Sequence, residues 1–462
     1  KRTMKTIETI IKQNKTAGLK QNINDLITVI SKEERNKNRV SGYVEEIQGK
    51  ELQDTGNNGI PIAIKNNINV KGWNIDCSSK ILEGYIAPYN ATVIDNLIKN
   101  GFAPYGTCNM DEFAMGSTTA TSYHGKTTNP KNNNCVPGGS SGGSATVVAE
   151  GTAFCSLGSD TGGSIRQPAA FTGTVGFKPA YGHVSRFGVI AYASSLDQVG
   201  PITKTVKDNA LVYDAIKGYD PKDTTSLDIE YKSIYNEIDE TKKYKIIVIR
   251  EYIEMCESEL RDSILETIKY LELQGHKIIE KKLFNTDLLI SAYYTIASAE
   301  ASSNLSRFDG IKYGHRTKEP KDLEELYVNS RSEGFGQEVK KRIMLGSFVL
   351  SSGYYEAYYK KAKDIQEYIK QEFNKIFEEG DLILMPVTPT TAFTFDKELT
   401  DLEMFLNDIF TISINMAGLP AMSVPNGKTK DNMPTAIQII SKSEEEQKIF
   451  NLGVQIENNS EK

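Results

Sequence analysis

The 462-residue chain contains five cysteines, four histidines and one tryptophan. Cys77, Cys108, Cys135, Cys155 and Cys256 are odd in number, widely spaced and free of any CxxC pair, which excludes a disulfide scaffold or a zinc ribbon. His124, His183, His276 and His315 show no ligand spacing, so no metal site is expected on this chain. No run approaches the roughly 18 consecutive apolar residues needed to span a bilayer. An excess of positive charge is also missing: 54 basic against 60 acidic residues leave a net charge of −6, which argues against a uniformly basic nucleic-acid binder. At 39% hydrophobic and 25% charged residues, the chain has ample apolar material for a large core.

Strand and helix patterns alternate along the chain. Residues 59–72 read as a buried strand entering a polar turn, and Thr92 to Asn100 as a helix closed by Gly101. Ile246–Ile249, Glu259–Leu273 and Ile278–Ile279 read as strand, helix and strand, with Gly275 as the stop. Leu382–Pro386 reads as another buried strand, and Glu444–Glu457 as a closing helix. The expected class is α/β, with a largely parallel or mixed sheet. The expected organisation is an N-terminal helical segment over 1–40 and one large domain over 41–462.

Charge is scarcest where glycine and serine are densest. Residues 135–203 carry only Glu150, Asp160, Arg166, Lys178, Arg186 and Asp197. With Val147-Val148-Ala149 and Phe154 among them, this segment reads as backbone packed at the centre of the fold. It holds two clusters, Gly138-Gly139-Ser140-Ser141-Gly142-Gly143-Ser144 and Gly158-Ser159-Asp160-Thr161-Gly162-Gly163-Ser164-Ile165-Arg166. Neither ends in the Gly-Lys-Ser/Thr of a Walker loop. Gly138-Gly139-Ser140-Ser141-Gly142 fits G-x-S-x-G, but residues 132–137 make a poor preceding strand. Asp160-Thr161-Gly162 has no second copy, as an aspartic protease requires. Tight packing alone also accounts for glycines. Against this stands Lys65, directly after Ile62-Ala63-Ile64: a buried lysine loses hydration of its charged form, its pKa falls, and a neutral amine can activate a serine without histidine.

These residues together resemble the amidase signature family. The resemblance runs from about residue 40 to the C-terminus and is most specific over 60–205. It implies one amidase-signature domain, with a central mixed sheet flanked by helices on both faces. It further implies Ser164 as nucleophile, Ser140 as a bridging serine on a cis peptide, and Lys65 as base. The backbone N–H groups of Thr161, Gly162, Gly163 and Ser164 are then the oxyanion hole. Where that family usually reads Lys-Asp-Asn, this chain reads Lys65-Asn66-Asn67.

Four stretches, 109–117, 293–314, 336–359 and Asn407-Asp408 with 417–420, are similar within that family to the glutamine-hydrolysing subunits of tRNA-dependent amidotransferases. That similarity implies Arg342 for a glutamine α-carboxylate, Asp408 for its α-ammonium and Tyr293 as pocket lining. It implies no cofactor on this chain, with ATP and magnesium on a partner kinase/transamidase subunit, which acts on Glu-tRNA(Gln). A small third subunit completes the expected heterotrimer, tRNA is engaged mainly through the partner, and no membrane is involved. A free-standing amidase on small amides and a non-catalytic scaffold are the alternatives. The basic, threonine-dotted start, with Lys1, Arg2, Lys5, Lys12, Lys15 and Lys20, points to the mitochondrial matrix, with the bacterial cytoplasm as the other setting.

Overall fold

The computed structural model describes residues 6–9, 42–46, 59–282, 288–397 and 407–460. Most of the 1–40 segment, including much of its basic start, lies outside them. Eleven strands form one mixed sheet: β1 Tyr43–Glu46, β2 Ile60–Lys65, β3 Phe102–Cys108, β4 Cys155–Asp160, β5 Val175–Lys178, β6 Gln198–Thr203, β7 Lys245–Ile249, β8 Lys277–Lys281, β9 Leu382–Pro386, β10 Ala421–Lys428 and β11 Pro434–Ile440. Their order is β1-β3-β2-β4-β6-β5-β10-β11-β9-β7-β8.

The strand expected at the start of 59–72 is present as Ile60–Lys65, and those expected at 246–249, 278–279 and 382–386 are present too. So is the helix Thr92–Lys99, ended by Gly101 at φ +81°. Parallel pairing is confined to two wings, β3-β2-β4 and β9-β7-β8. Between them β6, β5, β10 and β11 pair antiparallel. Glycine and proline hide this central region in the sequence. β6 carries Pro201, a residue without the N–H a ladder needs. The structure accommodates it because β5 pairs with β6 only at Val175–Thr203 and Gly176–Ile202.

The wing that bears the site shows why its strands read as continuous apolar runs. β2 lies between β3 and β4, with every residue from Ile60 to Lys65 buried. A strand covered on both faces has no polar face to alternate with. β2 and β4 run parallel, with Ala63 opposite Ser156 and Ile64 opposite Leu157. Lys65 and Asp160, the last residues of these strands, therefore emerge at the same end of the sheet. The helices Gly142–Glu150 and Arg166–Thr172 begin just after Ser140-Ser141 and Ser164. Ligands of open α/β sheets sit beyond such carboxyl ends.

Leu157, fully buried in β4, tests this core. Leu157→Ala is expected to cost about 2–5 kcal/mol, read as a lower urea midpoint in equilibrium unfolding.

Candidate active site

Lys65 has no solvent exposure. Its Nζ lies 2.7 Å from Ser140 Oγ, 2.8 Å from Ser141 Oγ and 3.2 Å from the Ser159 carbonyl oxygen. Burial lowers its pKa to about 7, even though Asp111, Asp160 and Asp197 pull it upward. Removing the amine from water costs the ammonium its hydration, and those carboxylates restore only part of it. Near neutrality the amine is thus available to take a proton.

The two adjacent serines are not equivalent. Ser141 Oγ donates to the Ser159 carbonyl oxygen at 3.0 Å, so its hydrogen is committed. Among the described residues, the Ser140 hydroxyl has Lys65 as its hydrogen-bond partner and no other. Ser140 can therefore relay a proton to Lys65, whereas Ser141 holds the amine in place. The Gly139–Ser140 peptide is cis. Gly139 must be glycine here, since a Cβ would collide with the Asp111 carboxylate.

The second cluster is organised by Asp160. Its carboxylate accepts from Gly163 N at 2.9 Å and Ile165 N at 3.1 Å, and pairs with Arg166 through Nε at 3.1 Å and Nη2 at 3.0 Å. Burial alone would raise its pKa, but Arg166, Lys178 and Asn415 hold it well below the usual carboxylate range. Ser141 N–H donates to the Ser164 carbonyl oxygen at 3.2 Å, which joins the two clusters. One expectation changes. The Gly163 N–H is engaged by Asp160, because the carboxylate caps this turn. Among the described residues, the N–H groups of Thr161, Gly162 and Ser164 have no hydrogen-bond acceptor within the protein, which leaves these three available to a ligand.

Ser164, 9% exposed, opens onto a cavity of about 150 Å³ together with Gly162, Tyr192, Tyr293, Arg342 and Asp408. Tyr293 packs against Gly162 so closely that a Cβ there would strike its hydroxyl. Arg342 donates through Nε to Glu338 at 2.6 Å and through Nη1 to Tyr192 Oη at 2.8 Å, with its guanidinium 4.5 Å from the Tyr294 ring centroid. Burial works against its charge, but Tyr192, Tyr294 and Glu338 outweigh it and raise its pKa. Burial pushes Asp408 up to about 7, with Arg342 opposing the shift. The cavity thus offers a cation, an ionisable carboxyl and a serine together.

The structure brings together Lys65 with Ser140, and Ser164 with Tyr293, Arg342 and Asp408. Sequence reasoning missed Ser141, Tyr192, Glu338 and the bracing by Asp160 and Arg166. The signal for Ser141, Asp160 and Arg166 was their place inside the two glycine-serine clusters. Tyr192 and Glu338 stand in no comparable motif. Asn66 turns away from the amine: its Nδ2 donates to Asp76, whose other oxygen lies 2.8 Å from His124 Nε2. Among the described residues, no group of three or more His, Cys, Asp and Glu side chains is placed to hold a metal ion.

The sequence model of the amidase family matches residues 7–450. The chain belongs to the amidase family. Among its relatives, a glutamyl-tRNA(Gln) amidotransferase subunit of Campylobacter jejuni strain RM1221 is 52% identical over 438 residues, 95% of this chain and 96% of that protein. The protein of the same description from Campylobacter concisus is 55% identical over 419 residues, 91% of this chain and 92% of the relative. The crystal structure of the same glutamyl-tRNA(Gln) amidotransferase subunit from Thermotoga maritima superposes with a TM-score of 0.79 at 37% identity, covering 96% of this chain and 95% of that one. A bacterial aryl acylamidase, at TM-score 0.84 and 20% identity over 99% and 96% of the two chains, shares the fold.

The Asp160–Arg166 pair gives the site a testable support. Arg166→Ala strands a buried carboxylate, and the expected loss is about 3–5 kcal/mol of stability. Equilibrium denaturation of the purified variant checks it.

Proposed function

We propose that this amidase is the glutaminase subunit of a tRNA-dependent amidotransferase, releasing ammonia for the conversion of Glu-tRNA(Gln) to Gln-tRNA(Gln). The observation that carries the proposal is the pairing of Arg342 and Asp408 around the cavity onto which Ser164 opens. Free glutamine carries an α-carboxylate and an α-ammonium, and opposite charges in one pocket suit both. A guanidinium suits the carboxylate because it offers parallel N–H donors. A simple amide needs neither group. The names of the amidotransferase relatives support the same reading.

In this mechanism neutral Lys65 takes the proton of Ser140, and Ser140 takes that of Ser164. The Ser164 Oγ attacks the side-chain carboxamide carbon. The N–H groups of Thr161, Gly162 and Ser164 meet the oxyanion, in the kind of site where each donor is worth about 3–4 kcal/mol. As the C–N bond breaks, the proton returns through Ser140 to the leaving nitrogen, and ammonia departs from a glutamyl ester on Ser164. Water, activated by the same relay, then cleaves the ester to glutamate. The sum is glutamine plus water giving glutamate plus ammonia.

A partner kinase/transamidase would receive the ammonia and hold ATP and magnesium, and a small third subunit would complete the heterotrimer. tRNA would bind mainly through the partner. The relatives named above are from bacteria, which favours the bacterial cytoplasm. Nothing in those relatives supports the mitochondrial matrix.

The test is ammonia release from glutamine by the chain alone and assembled with its transamidase partner. Release is expected to need the partner and to vanish in Ser164→Ala. Ser164-dependent cleavage of a simple amide, with no glutamine turnover in the assembled complex, would overturn the proposal in favour of a free-standing amidase. A pH profile adds an independent check. Lys65 must be neutral to accept a proton and Asp408 ionised to meet an ammonium, and both titrate at about 7. Glutamine kcat/KM should therefore rise with pH through about 7 and fall on the acid side.

A further inference from the structure

Asp197 carries no proton in the proposed relay and stands in no motif singled out above, although its charge is one of three carboxylate charges that raise the Lys65 pKa. Its carboxylate nevertheless reaches both halves of the site. Oδ1 accepts from the Thr161 hydroxyl at 2.7 Å, and Thr161 belongs to the turn proposed above to meet the oxyanion. Oδ2 accepts from Tyr192 N at 2.9 Å, and Ala193 N lies 3.1 Å from each oxygen. Tyr192 in turn presents its hydroxyl to Arg342 Nη1 at 2.8 Å. One carboxylate is thus linked through Thr161 to the turn that bears the nucleophile. Through Tyr192 it is linked to the arginine expected to hold the substrate carboxylate.

The contacts are well placed to act as a brace. Asp197, Thr161 and Tyr192 are all buried, at 6%, 1% and 4% exposure. Burial raises Asp197 to about 6, so at neutral pH it is still mostly an ionised carboxylate, able only to accept. Its partners here are donors. An asparagine at this position has one accepting oxygen and one donating NH₂, and cannot satisfy Thr161 and both backbone N–H groups in the same way.

We propose that Asp197 is a positioning residue that sets the oxyanion turn through Thr161 and the substrate arginine through Tyr192, coupling bond cleavage to recognition of the glutamine carboxylate. The turn half stands on geometry alone, and the arginine half rests on the glutaminase reading. A residue that merely held its own loop together would change stability and leave the two kinetic constants alone.

The experiment uses two readouts. The first is the rate at which a fluorophosphonate labels Ser164, which needs the oxyanion turn but no glutamine. The second is steady-state glutamine hydrolysis by the complex with the transamidase partner. Asp197→Asn is expected to slow labelling about tenfold or more, to lower kcat and to raise KM for glutamine. Thr161→Val should reproduce the loss of labelling and kcat, and Tyr192→Phe the rise in KM. A folded Asp197→Asn protein with wild-type labelling and wild-type KM overturns the proposal. Should Asp197→Asn not fold, the two partner variants decide: loss that fails to divide between kcat and KM in this way also overturns it. No glutamine turnover by the wild-type complex, with Ser164 still labelled at the normal rate, would instead sink the glutaminase reading and leave the turn half to be decided by the labelling alone.

Discussion

The site depends on burying charge without leaving it unsatisfied. Asp160 and Arg166, both without solvent exposure, meet at the end of β4. Two buried ions are costly unless each is paired and hydrogen-bonded on its remaining sides. Here the carboxylate draws in Gly163, Ile165 and Asn415, while the guanidinium reaches the Thr411 carbonyl oxygen and Gln438. The pair therefore ties the Ser164 turn to the helix Ile409–Ala417 and to β11, elements some 250 residues away in the chain. Asp408, at the start of that helix, is positioned by the same fastening.

Desolvation does the complementary job at Lys65. The same low-polarity surroundings that make an unpaired charge expensive turn the amine into a base near neutrality. Three carboxylates oppose that shift from different strands and loops, so the amine is tuned by a balance and not by one neighbour. Asn66 adds no charge to this balance: its amide donates to Asp76, and the carboxylates that bear on Lys65 are Asp111, Asp160 and Asp197.

Much of this was legible in the chain. The apolar run Ile60–Ile64, ending in a lysine, and the two charge-poor glycine-serine clusters carried the signal for β2, Lys65, Ser140 and Ser164. Each stands in a local run whose composition sequence records, although Lys65 and Ser140 meet only across 75 residues. The antiparallel centre of the sheet was not legible, because Pro201 and Gly200 in β6 contradict the local rules for an interior strand. Tyr192 and Glu338 were missed for other reasons. Tyr192 meets Arg342 across 150 residues, a contact made only after distant segments pack, while Glu338 pairs with Arg342 one helical turn away, a spacing common to any solvated helix face. Of the four oxyanion donors implied by the family resemblance, the Gly163 N–H is held in this structure by a carboxylate three residues earlier.

The pinned hydroxyl of Ser141 has a consequence for traffic in protons. An amine that touches two alcohols could exchange with either, and a branch in the path would let protons leak away from the reacting bond. With one alcohol locked onto a backbone carbonyl, the branch is a dead end, and the route through Ser140 is the open one. In the proposed relay the neighbouring serine is then an insulator, keeping the current of protons on a single wire.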